Sequence, residues 1–258
     1  MNVGFIGTGN MGGALIKGLL KSGRYNVFVY DISFEKADSY SKSGAEACSS
    51  IEEISEKSDV LILTVKPNIY TSVLKTLSEL NYSKKLISVA PGISLEFLQA
   101  SLPGAQIVRT MPNTPALYGE GMTLVIEISD NNFQNEVADL FKCVGEVSIL
   151  PENLIDAGTA LSGSSPAMVY RLIDAMANNA VSYGINKKEA VRIAAQAVLG
   201  SAKTVLESNL HPIVLSDAVC SPGGTTIEMV NELERLGFYN SIVSSMDCCI
   251  KKCKNMKK

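Results

Sequence analysis

A glycine-rich turn close to the N-terminus restricts the fold of this chain more than any other feature. The turn consists of Gly7, Thr8, Gly9, Asn10, Met11 and Gly12. An apolar run at 3–6 precedes it, and a stretch with helical spacing at 12–20 follows. In this pattern the first glycine permits a tight turn, the second lets a pyrophosphate approach the backbone, and the third lets the helix pack closely against the strand. These six residues therefore predict a strand–turn–helix unit that binds the pyrophosphate of a dinucleotide cofactor at the helix N-terminus.

The first half of the chain alternates short apolar runs with helical patterns. Strands are predicted at 3–6, 27–30, 60–65, 86–89, 107–110, 122–128 and 146–150. Helical spacing is found between them at 12–20, 34–43, 70–80, 94–102 and 132–143. Because the first five strand segments are short and rich in Val, Ile and Leu, helices should cover both of their faces. The pattern predicts an α/β fold with an N-terminal Rossmann-type doubly wound, mostly parallel sheet.

After Pro151 the strand patterns stop and only helical patterns continue. Helices are predicted at 166–183, 187–207, 225–236 and from 239 onward. Pro166 suits the first turn of its helix, with Ser164 or Ser165 as the N-terminal cap. The second helix is rich in alanine, which indicates deep packing or a subunit interface. We therefore expect a dinucleotide-binding domain at 1–152 and a C-terminal all-α domain at 153–258.

Charge and cysteine content exclude several classes of function. The net charge is −3, so no basic field for nucleic acid is expected, and the terminal lysines suit a helix C-terminus. The six cysteines contain no C-x-x-C pair and His211 is the only histidine, so we expect no metal site. No apolar stretch reaches the ~20 residues of a membrane span, and no signal-like segment precedes the first strand. We therefore expect a soluble, cytoplasmic protein whose thiols are free.

Asp31 follows the second predicted strand, where the dinucleotide motif places an acidic residue. Its carboxylate can accept hydrogen bonds from the adenosine ribose and would repel a 2′-phosphate. No arginine follows it, and only Ser33 and Lys36 are placed to meet a phosphate. Asp31 therefore favours NADH over NADPH. In the alternative interpretation it only caps the helix at 34–43.

Two further strand ends should border the nicotinamide ring, because ligands of open α/β sheets lie beyond the carboxyl ends of the strands. The residues concerned are Val65, Lys66 and Pro67 after one strand, and Asn113 and Thr114 after another. A proline on each side of the second pair stiffens its loop. The alternative for both segments is an ordinary proline-containing connection.

Two polar, glycine-containing segments lie among the predicted helices of the second half. One occupies 161–167 and includes Ser164, and the other occupies 219–227 and includes Gly223, Gly224, Thr225 and Thr226. Each is expected to begin a helix, and a helix N-terminus with free N–H groups and nearby hydroxyls can bind a small carboxylate. The alternative is a pair of ordinary helix caps.

Taken together, these segments resemble the pyrroline-5-carboxylate reductase family over nearly the whole chain. The resemblance rests on 4–12, 58–67, 111–116, 162–167 and 217–228, of which the last is the most specific. It implies reduction of the cyclic imine Δ1-pyrroline-5-carboxylate to L-proline by NADPH or NADH. It also implies homodimers with interleaved helical domains, often assembled into larger rings such as a decamer.

The resemblance also implies roles for individual residues. The turn at 223–226 is expected to bind the substrate carboxylate through backbone N–H groups, and the catalytic Thr226 hydroxyl is expected to hydrogen-bond the ring nitrogen. Ser164 is assigned to the substrate side, and Lys66, Asn113 and Thr114 to the cofactor side. A protonated imine already carries the positive charge that lets its carbon accept hydride, so the enzyme mainly has to hold two reactants in line.

Two departures and two rival functions accompany this interpretation. Met168 replaces an aromatic residue and Met229 a small one, so the size of the imine ring, five- or six-membered, is left open. A β-hydroxyacid dehydrogenase would place a catalytic lysine after its mid-chain glycine motif, and 164–171 contains no lysine. The other rival is a sensor that binds dinucleotide without turnover, which would not need the two substrate segments.

Overall fold

The computed structural model of the protein describes residues 1–256. Within them, eight strands form one sheet: β1 (Asn2–Ile6), β2 (Asn26–Tyr30), β3 (Glu46–Ala47), β4 (Val60–Leu63), β5 (Lys85–Ser88), β6 (Gln106–Met111), β7 (Gly121–Ile126) and β8 (Gly145–Leu150). Their order is β3-β2-β1-β4-β5-β6-β7-β8. These neighbours pair in parallel, with the exception of β6 and β7. The predicted doubly wound, mostly parallel sheet is confirmed.

Helices cover both faces of this sheet. The α-helices of the first half are α1 (Asn10–Ser22), α2 (Phe34–Asp38), α3 (Ile51–Lys57), α4 (Tyr70–Glu79), α5 (Leu95–Ser101) and α6 (Asn131–Phe141). Successive strand residues point to opposite faces. Phe5 therefore belongs to the buried cluster that contains Leu15 of α1, whereas Ile6 belongs to the cluster that contains Tyr70 of α4. β1, β4, β5 and β6 are largely buried on both sides, as their composition predicted, whereas one face of β2 is only half-buried.

Two short elements of the first half were not predicted. β3 has only two residues at the edge of the sheet, and α3 has seven. A signal for α3 was present, because the Ser50 hydroxyl accepts the Glu53 N–H at 3.1 Å and so caps the helix. The helix predicted at 34–43 is also divided, into α2 and a 3-10 turn at Ser41–Ser43.

The second half is helical throughout, as predicted. Its α-helices are α7 (Ile155–Gly158), α8 (Ser165–Ser182), α9 (Lys187–Ser208), α10 (Pro212–Val219), α11 (Thr225–Arg235) and α12 (Phe238–Lys254). α10 was not predicted. It begins at Pro212 and is capped by His211, whose Nδ1 accepts the Ile213 N–H at 3.3 Å. The single histidine therefore caps α10.

α8 has nearly the predicted bounds, but it does not start from a cap. Thr159–Ser164 forms a π-helical turn between α7 and α8, so the backbone is helical from Ile155 to Ser182. The expectation that Ser164 or Ser165 caps a new helix, with free N–H groups, is wrong. Pro166 has no N–H, and its ring conflicts with the carbonyl four residues earlier, a conflict that a wider π-helical turn accommodates.

The chain divides into two compact units. The first comprises Met1–Pro166 with the described part of the segment from Cys249 onward, and the second comprises Ala167–Cys248. α7 belongs to the first unit because Gly158 lies against the sheet, where a Cβ would stand 2.5 Å from Leu124 Cδ1. The domain boundary at 152/153 stays a prediction, since by contacts the first unit continues to Pro166. Within 1–256, no helix has the length and apolar character needed to cross a bilayer.

Candidate active site

A cavity of about 360 Å³ opens at the carboxyl ends of β1, β2 and β4. Its lining residues are Ile6, Gly7, Gly9, Tyr30, Asp31, Ile32, Ile51, Thr64, Val65, Lys66, Ile69, Ser72, Val73 and Thr76. The chain order reverses between β1 and β4, and doubly wound sheets bind their ligands at such a switch point. The position and the mostly apolar lining suit the adenosine half of a dinucleotide.

Two glycines of the N-terminal turn have no room or freedom for a side chain. Gly7 has a φ of +103° and donates its N–H to the Tyr30 carbonyl at 2.8 Å, which fixes the turn after β1. A Cβ on Gly12 would lie 2.3 Å from the Gly7 carbonyl oxygen and 2.8 Å from Thr64 Oγ1. The close approach of α1 to the sheet therefore requires glycine at both positions.

The N-terminus of α1 is open to a ligand. Gly9 is its cap residue and provides no side-chain hydrogen bond, and among residues 1–256, apart from its neighbours in the chain, no atom lies within 4 Å of the point where a Gly9 Cβ would stand. Several other described helices are capped by a side chain, from Ser50, Ser94, Asp130, Asn186 and His211. The first N–H groups of α1 are left for an outside acceptor, and the helix dipole favours an anion there.

Asp31 lines the cavity at the end of β2, and its carboxylate joins two backbone segments. Oδ2 accepts the Thr8 N–H at 2.8 Å and the Thr8 hydroxyl at 2.9 Å, and Oδ1 accepts the Ser33 N–H at 3.1 Å. Partial burial would raise the pKa of Asp31, but these hydrogen bonds and the charge of Lys36 outweigh it and hold the pKa below its ordinary value. The ionised carboxylate thus ties the glycine turn to the residue that precedes α2.

The segment after β4 forms the opposite wall of the cavity. Val65 packs against the turn, since a Cβ on Gly7 would lie 2.9 Å from Val65 Cγ1. Pro67 begins a 3-10 turn, and Lys66 before it is exposed. Among the described lining residues Lys66 is the one cationic side chain and Asp31 the one anionic. One charge of each sign therefore faces an otherwise neutral cavity.

Asn113 and Thr114 follow β6, which is two strands beyond β4 in the sheet. Asn113 is buried, and both ends of its amide contact the protein. Nδ2 donates to the Ser162 carbonyl at 3.0 Å, and Oδ1 accepts the Met122 N–H at 2.9 Å. Thr114 is exposed and begins a 3-10 turn. The two predicted neighbours therefore have different surroundings, one inside the protein and one at its surface.

Ser164 is the last residue of the π-helical turn and is exposed. Its Oγ accepts a hydrogen bond from the Cys249 thiol of α12, with an Sγ–Oγ distance of 3.3 Å. Ser162 is buried, and its hydroxyl donates to the Gly158 carbonyl at 3.0 Å. The turn therefore presents the Ser164 hydroxyl while the Ser162 hydroxyl is held inside the protein.

The second unit contains another open helix N-terminus, at the start of α11. Gly223 has a φ of +66°, and Gly224 caps α11 without a side-chain hydrogen bond. Thr225 is exposed and Thr226 is half-buried. As at α1, the first N–H groups are left for an outside acceptor, which is what binding of a small carboxylate requires. The expected helix start is present, and the roles of its residues stay predictions.

Sequence reasoning missed the apolar wall of the cavity. Ile32, Ile51, Ile69 and Val73 contribute to it, and none of them belongs to a recognisable motif. A weak signal was available, because the apolar Ile32 directly follows the acidic residue in the sequence. An apolar side chain in that position provides a surface for a flat ring such as adenine.

The loop after β5 was missed as well. β5 lies between β4 and β6, so residues 89–92 stand between the two strand ends that were assigned to the cofactor. The signal was available in the sequence, because every parallel strand of a doubly wound sheet ends at the same edge.

The second unit, all of it described, has almost no hydrophobic core of its own. Its buried residues are three alanines, Ala177, Ala190 and Ala194. Large apolar side chains are exposed instead, among them Tyr170, Leu199, Leu206, Ile213, Val214 and Val219. Apolar surface of this extent marks an association site. The helices of this unit therefore need a further protein surface to cover them.

Two known families match the chain. Residues 152–256 match the family described as pyrroline-5-carboxylate reductase dimerisation. Residues 2–92 match the family described as NADP oxidoreductase, coenzyme F420-dependent.

Individual relatives match nearly the full length. The pyrroline-5-carboxylate reductase of Escherichia coli (strain K12) is 41% identical over 264 residues, which cover 99% of this chain and 98% of that protein. A solved pyrroline-5-carboxylate reductase from Coxiella burnetii is 30% identical with a TM-score of 0.93, covering 100% of this chain and 98% of that one. Plasmodium falciparum pyrroline carboxylate reductase, solved with NADP bound, is 29% identical with a TM-score of 0.90, covering 100% and 98%.

Proposed function

The chain belongs to the pyrroline-5-carboxylate reductase family, and on that premise we propose that it reduces the C=N bond of Δ1-pyrroline-5-carboxylate to give L-proline, with NADPH or NADH as the hydride donor. The observation that carries this proposal is the 41% identity to the Escherichia coli enzyme over 99% of the chain. The family resemblance inferred from the motifs is confirmed.

The residues at the switch point fit a nicotinamide dinucleotide. In this proposal the turn from Gly7 to Gly12 holds the pyrophosphate at the open N-terminus of α1, and the cavity between β2 and β4 takes the adenosine. Val65, Lys66, Pro67 and Thr114 border the nicotinamide half at the carboxyl edge of the sheet. The dinucleotide, when bound, supplies the hydride. The protein supplies a fixed position for it.

The start of α11 is proposed to hold the imine acid. The N–H groups that follow Gly223 and Gly224 bind its carboxylate, and the helix dipole adds to that attraction. The Thr226 hydroxyl hydrogen-bonds the ring nitrogen, and Ser164 contacts the substrate from the π-helical turn. Because a protonated imine is already electrophilic, these residues act mainly by orientation, which accounts for a large part of the rate of such reactions.

We propose NADH as the better cofactor. The support is the ionised Asp31 on the rim of the cavity, which would face the adenosine ribose and repel a 2′-phosphate. Lys66 is the one cation among the described lining residues, and it lies on the wall opposite Asp31. The 2′-phosphate of NADPH would therefore lie near the negative charge of Asp31 and be repelled by it.

The protein is a homo-oligomer, and we propose a homodimer as its basic form, with a larger ring such as a decamer built from it. The family match to a dimerisation domain and the coreless second unit support the dimer. Sedimentation of the purified protein tests both steps, since a ring sediments as a multiple of the dimer.

We also propose a cytoplasmic location, supported by a thiol content that suits a reducing compartment. Cell fractionation tests it.

The activity test is oxidation of NADH and of NADPH by the purified protein, followed at the nicotinamide absorbance with Δ1-pyrroline-5-carboxylate present. We expect turnover with L-proline as the product and a higher kcat/KM for NADH. Dinucleotide binding without oxidation would contradict the proposed reaction. A six-membered cyclic imine, tested in parallel, would then decide whether Met168 and Met229 have altered the substrate or whether the protein only senses the dinucleotide.

A further inference from the structure

A single amide joins the loop after β6 to the π-helical turn. Asn113 Nδ2 donates to the Ser162 carbonyl at 3.0 Å, while Asn113 Oδ1 accepts the Met122 N–H at 2.9 Å. The side chain is only 7% exposed. Both the donor and the acceptor of the amide therefore contact backbone groups of the protein.

The partner of Asn113 is a carbonyl whose α-helical donor, the N–H four residues ahead, does not exist. In an α-helix the Ser162 carbonyl would accept the N–H of residue 166. That residue is Pro166, which has no N–H. The Asn113 amide thus supplies from outside the hydrogen bond that Pro166 cannot donate from within. A buried carbonyl without any donor would destabilise this segment.

The same turn presents Ser164, two residues after Ser162. Its hydroxyl is fixed on the other side by the Cys249 thiol, at an Sγ–Oγ distance of 3.3 Å. Met111, which precedes the Asn113 loop, also lies against the turn, 3.4 Å from the position of a Gly163 Cβ. The end of β6 therefore determines where the π-helical turn stands and where the Ser164 hydroxyl points.

We infer that Asn113 is a positioning residue for the substrate side of the site, acting through the Ser162 carbonyl, and that it is not a direct contact of the dinucleotide. The inference rests on the proposed function in one respect, the role of Ser164 toward the imine acid. It changes the assignment that the motif suggested. Asn113 acts on the substrate side, and only the residues beside it in the loop after β6 border the cofactor.

The test is a double-mutant cycle of Asn113→Ala and Pro166→Ala in the full-length oligomer. Pro166→Ala restores an N–H at the position from which the helix can serve Ser162. We expect Asn113→Ala to lower kcat/KM for Δ1-pyrroline-5-carboxylate by about tenfold, because it removes the hydrogen bonds to both the Ser162 carbonyl and the Met122 N–H. The dissociation constant of the dinucleotide should change by less than about twofold. In the Pro166→Ala background, Asn113→Ala should lower kcat/KM by a clearly smaller factor.

Two outcomes would overturn the inference. One is a loss of dinucleotide affinity that parallels the loss of activity, which would make Asn113 a cofactor contact. The other is an equal loss in both backgrounds, which would separate Asn113 from the missing N–H of Pro166. Failure of the proposed function looks different, because the unmodified protein would then not turn over the imine acid at all.

A measurement on the unmodified protein covers the case in which Asn113→Ala does not fold. In a crystal structure of the protein with bound dinucleotide, Asn113 Nδ2 should still lie within hydrogen-bond distance of the Ser162 carbonyl. An amide turned away from Ser162 and onto the nicotinamide would overturn the inference.

Discussion

The carboxylate of Asp31 accepts two hydrogen bonds from Thr8, one from the backbone N–H at 2.8 Å and one from the hydroxyl at 2.9 Å. Thr8 is the second residue of the glycine turn, which is expected to bind the pyrophosphate. Asp31, which is expected to hydrogen-bond the ribose, therefore also fixes the position of that turn. A substitution at Asp31 should therefore affect the affinity for any dinucleotide as well as the choice between them.

Asp31→Ser should raise the ratio of kcat/KM for NADPH to that for NADH by about tenfold. Like charges ~4 Å apart near a protein surface repel by roughly 1–4 kcal/mol, and serine removes that repulsion. Both individual kcat/KM values should fall because the Thr8 contacts are lost, so the ratio is the informative quantity. Asp38→Ser is the matched control, since Asp38 is an exposed aspartate of α2 outside the cavity. An unchanged ratio in Asp31→Ser would remove Asp31 from cofactor selection.

The lowered pKa of Asp31 predicts a specific pH dependence. The folded state binds its proton less readily than the unfolded state, so the stabilisation by Asp31 is complete above the unfolded pKa and is lost as the pH falls through the folded pKa. Unfolding free energies of the protein and of Asp31→Asn should differ by a constant amount above about pH 5 and converge in acid. A difference that grows as the pH falls would contradict the direction of the shift.

Thr226→Ala should lower kcat/KM for the imine acid by about tenfold or more, the loss of one hydrogen bond to a charged group. Thr226→Ser keeps the hydroxyl and should recover most of the activity. Dinucleotide binding, measured by fluorescence titration, should be the same in both variants. Normal turnover by Thr226→Ala would show that this hydroxyl does not assist the reaction.

Glu152→Ala should lower the free energy of unfolding by about 2 kcal/mol, because it leaves the buried Arg109 guanidinium without its carboxylate. Arg109 Nη1 lies 3.1 Å from Glu152 Oε1, and the same oxygen accepts the Leu95 N–H at 2.9 Å. The expected loss is below that of a fully buried pair, since the Glu152 side chain is 36% exposed. Urea unfolding at one fixed protein concentration measures it.

The double variant Arg109→Met with Glu152→Ala is the control for that experiment. It removes the buried charge together with its partner, so it should be more stable than Glu152→Ala alone. If the double variant were less stable than Glu152→Ala alone and than Arg109→Met alone, the ion pair would not account for the loss of unfolding free energy.

Cys48 should resist alkylation in the folded protein. It is fully buried, and burial raises the pKa of its thiol to about 11, so the reactive thiolate is scarce at pH 8. Iodoacetamide followed by peptide mass analysis should leave Cys48 unmodified in buffer and modify it in urea. Modification at equal rates under both conditions would show that the thiol is accessible in the native state.

Much of the fold and part of the site could be predicted because the relevant signals are local. The five short runs rich in Val, Ile and Leu and the helical spacing between them predicted the doubly wound sheet. Gly7 and Gly12 predicted a turn whose geometry excludes a side chain at both of these positions. The glycine–threonine start of α11 was recognisable in the same way, since a cap and the first turn of its helix are contiguous in sequence.

The incorrect predictions arose where local preference competed with tertiary contacts. Serine, glycine and proline at 162–166 are typical of a helix start, yet the backbone there continues from α7 into α8 through a π-helical turn. Gly158 packs against Leu124 of the sheet, which joins this segment to the first unit. Here the Asn113 amide replaces the N–H that Pro166 lacks. Residue type alone therefore cannot distinguish a helix cap from an interior position.

The sequence by itself determined the order of strands and helices, the turn at the N-terminus of α1 and the family, because periodicity and short motifs depend on neighbouring residues. Only the tertiary structure decided the partners of Asp31, Asn113 and Ser164. Their hydrogen bonds span 23, 49 and 85 residues of the chain. Which side chain reaches a carbonyl whose i+4 residue is proline depends on how distant segments pack, and that information is not carried by any one segment.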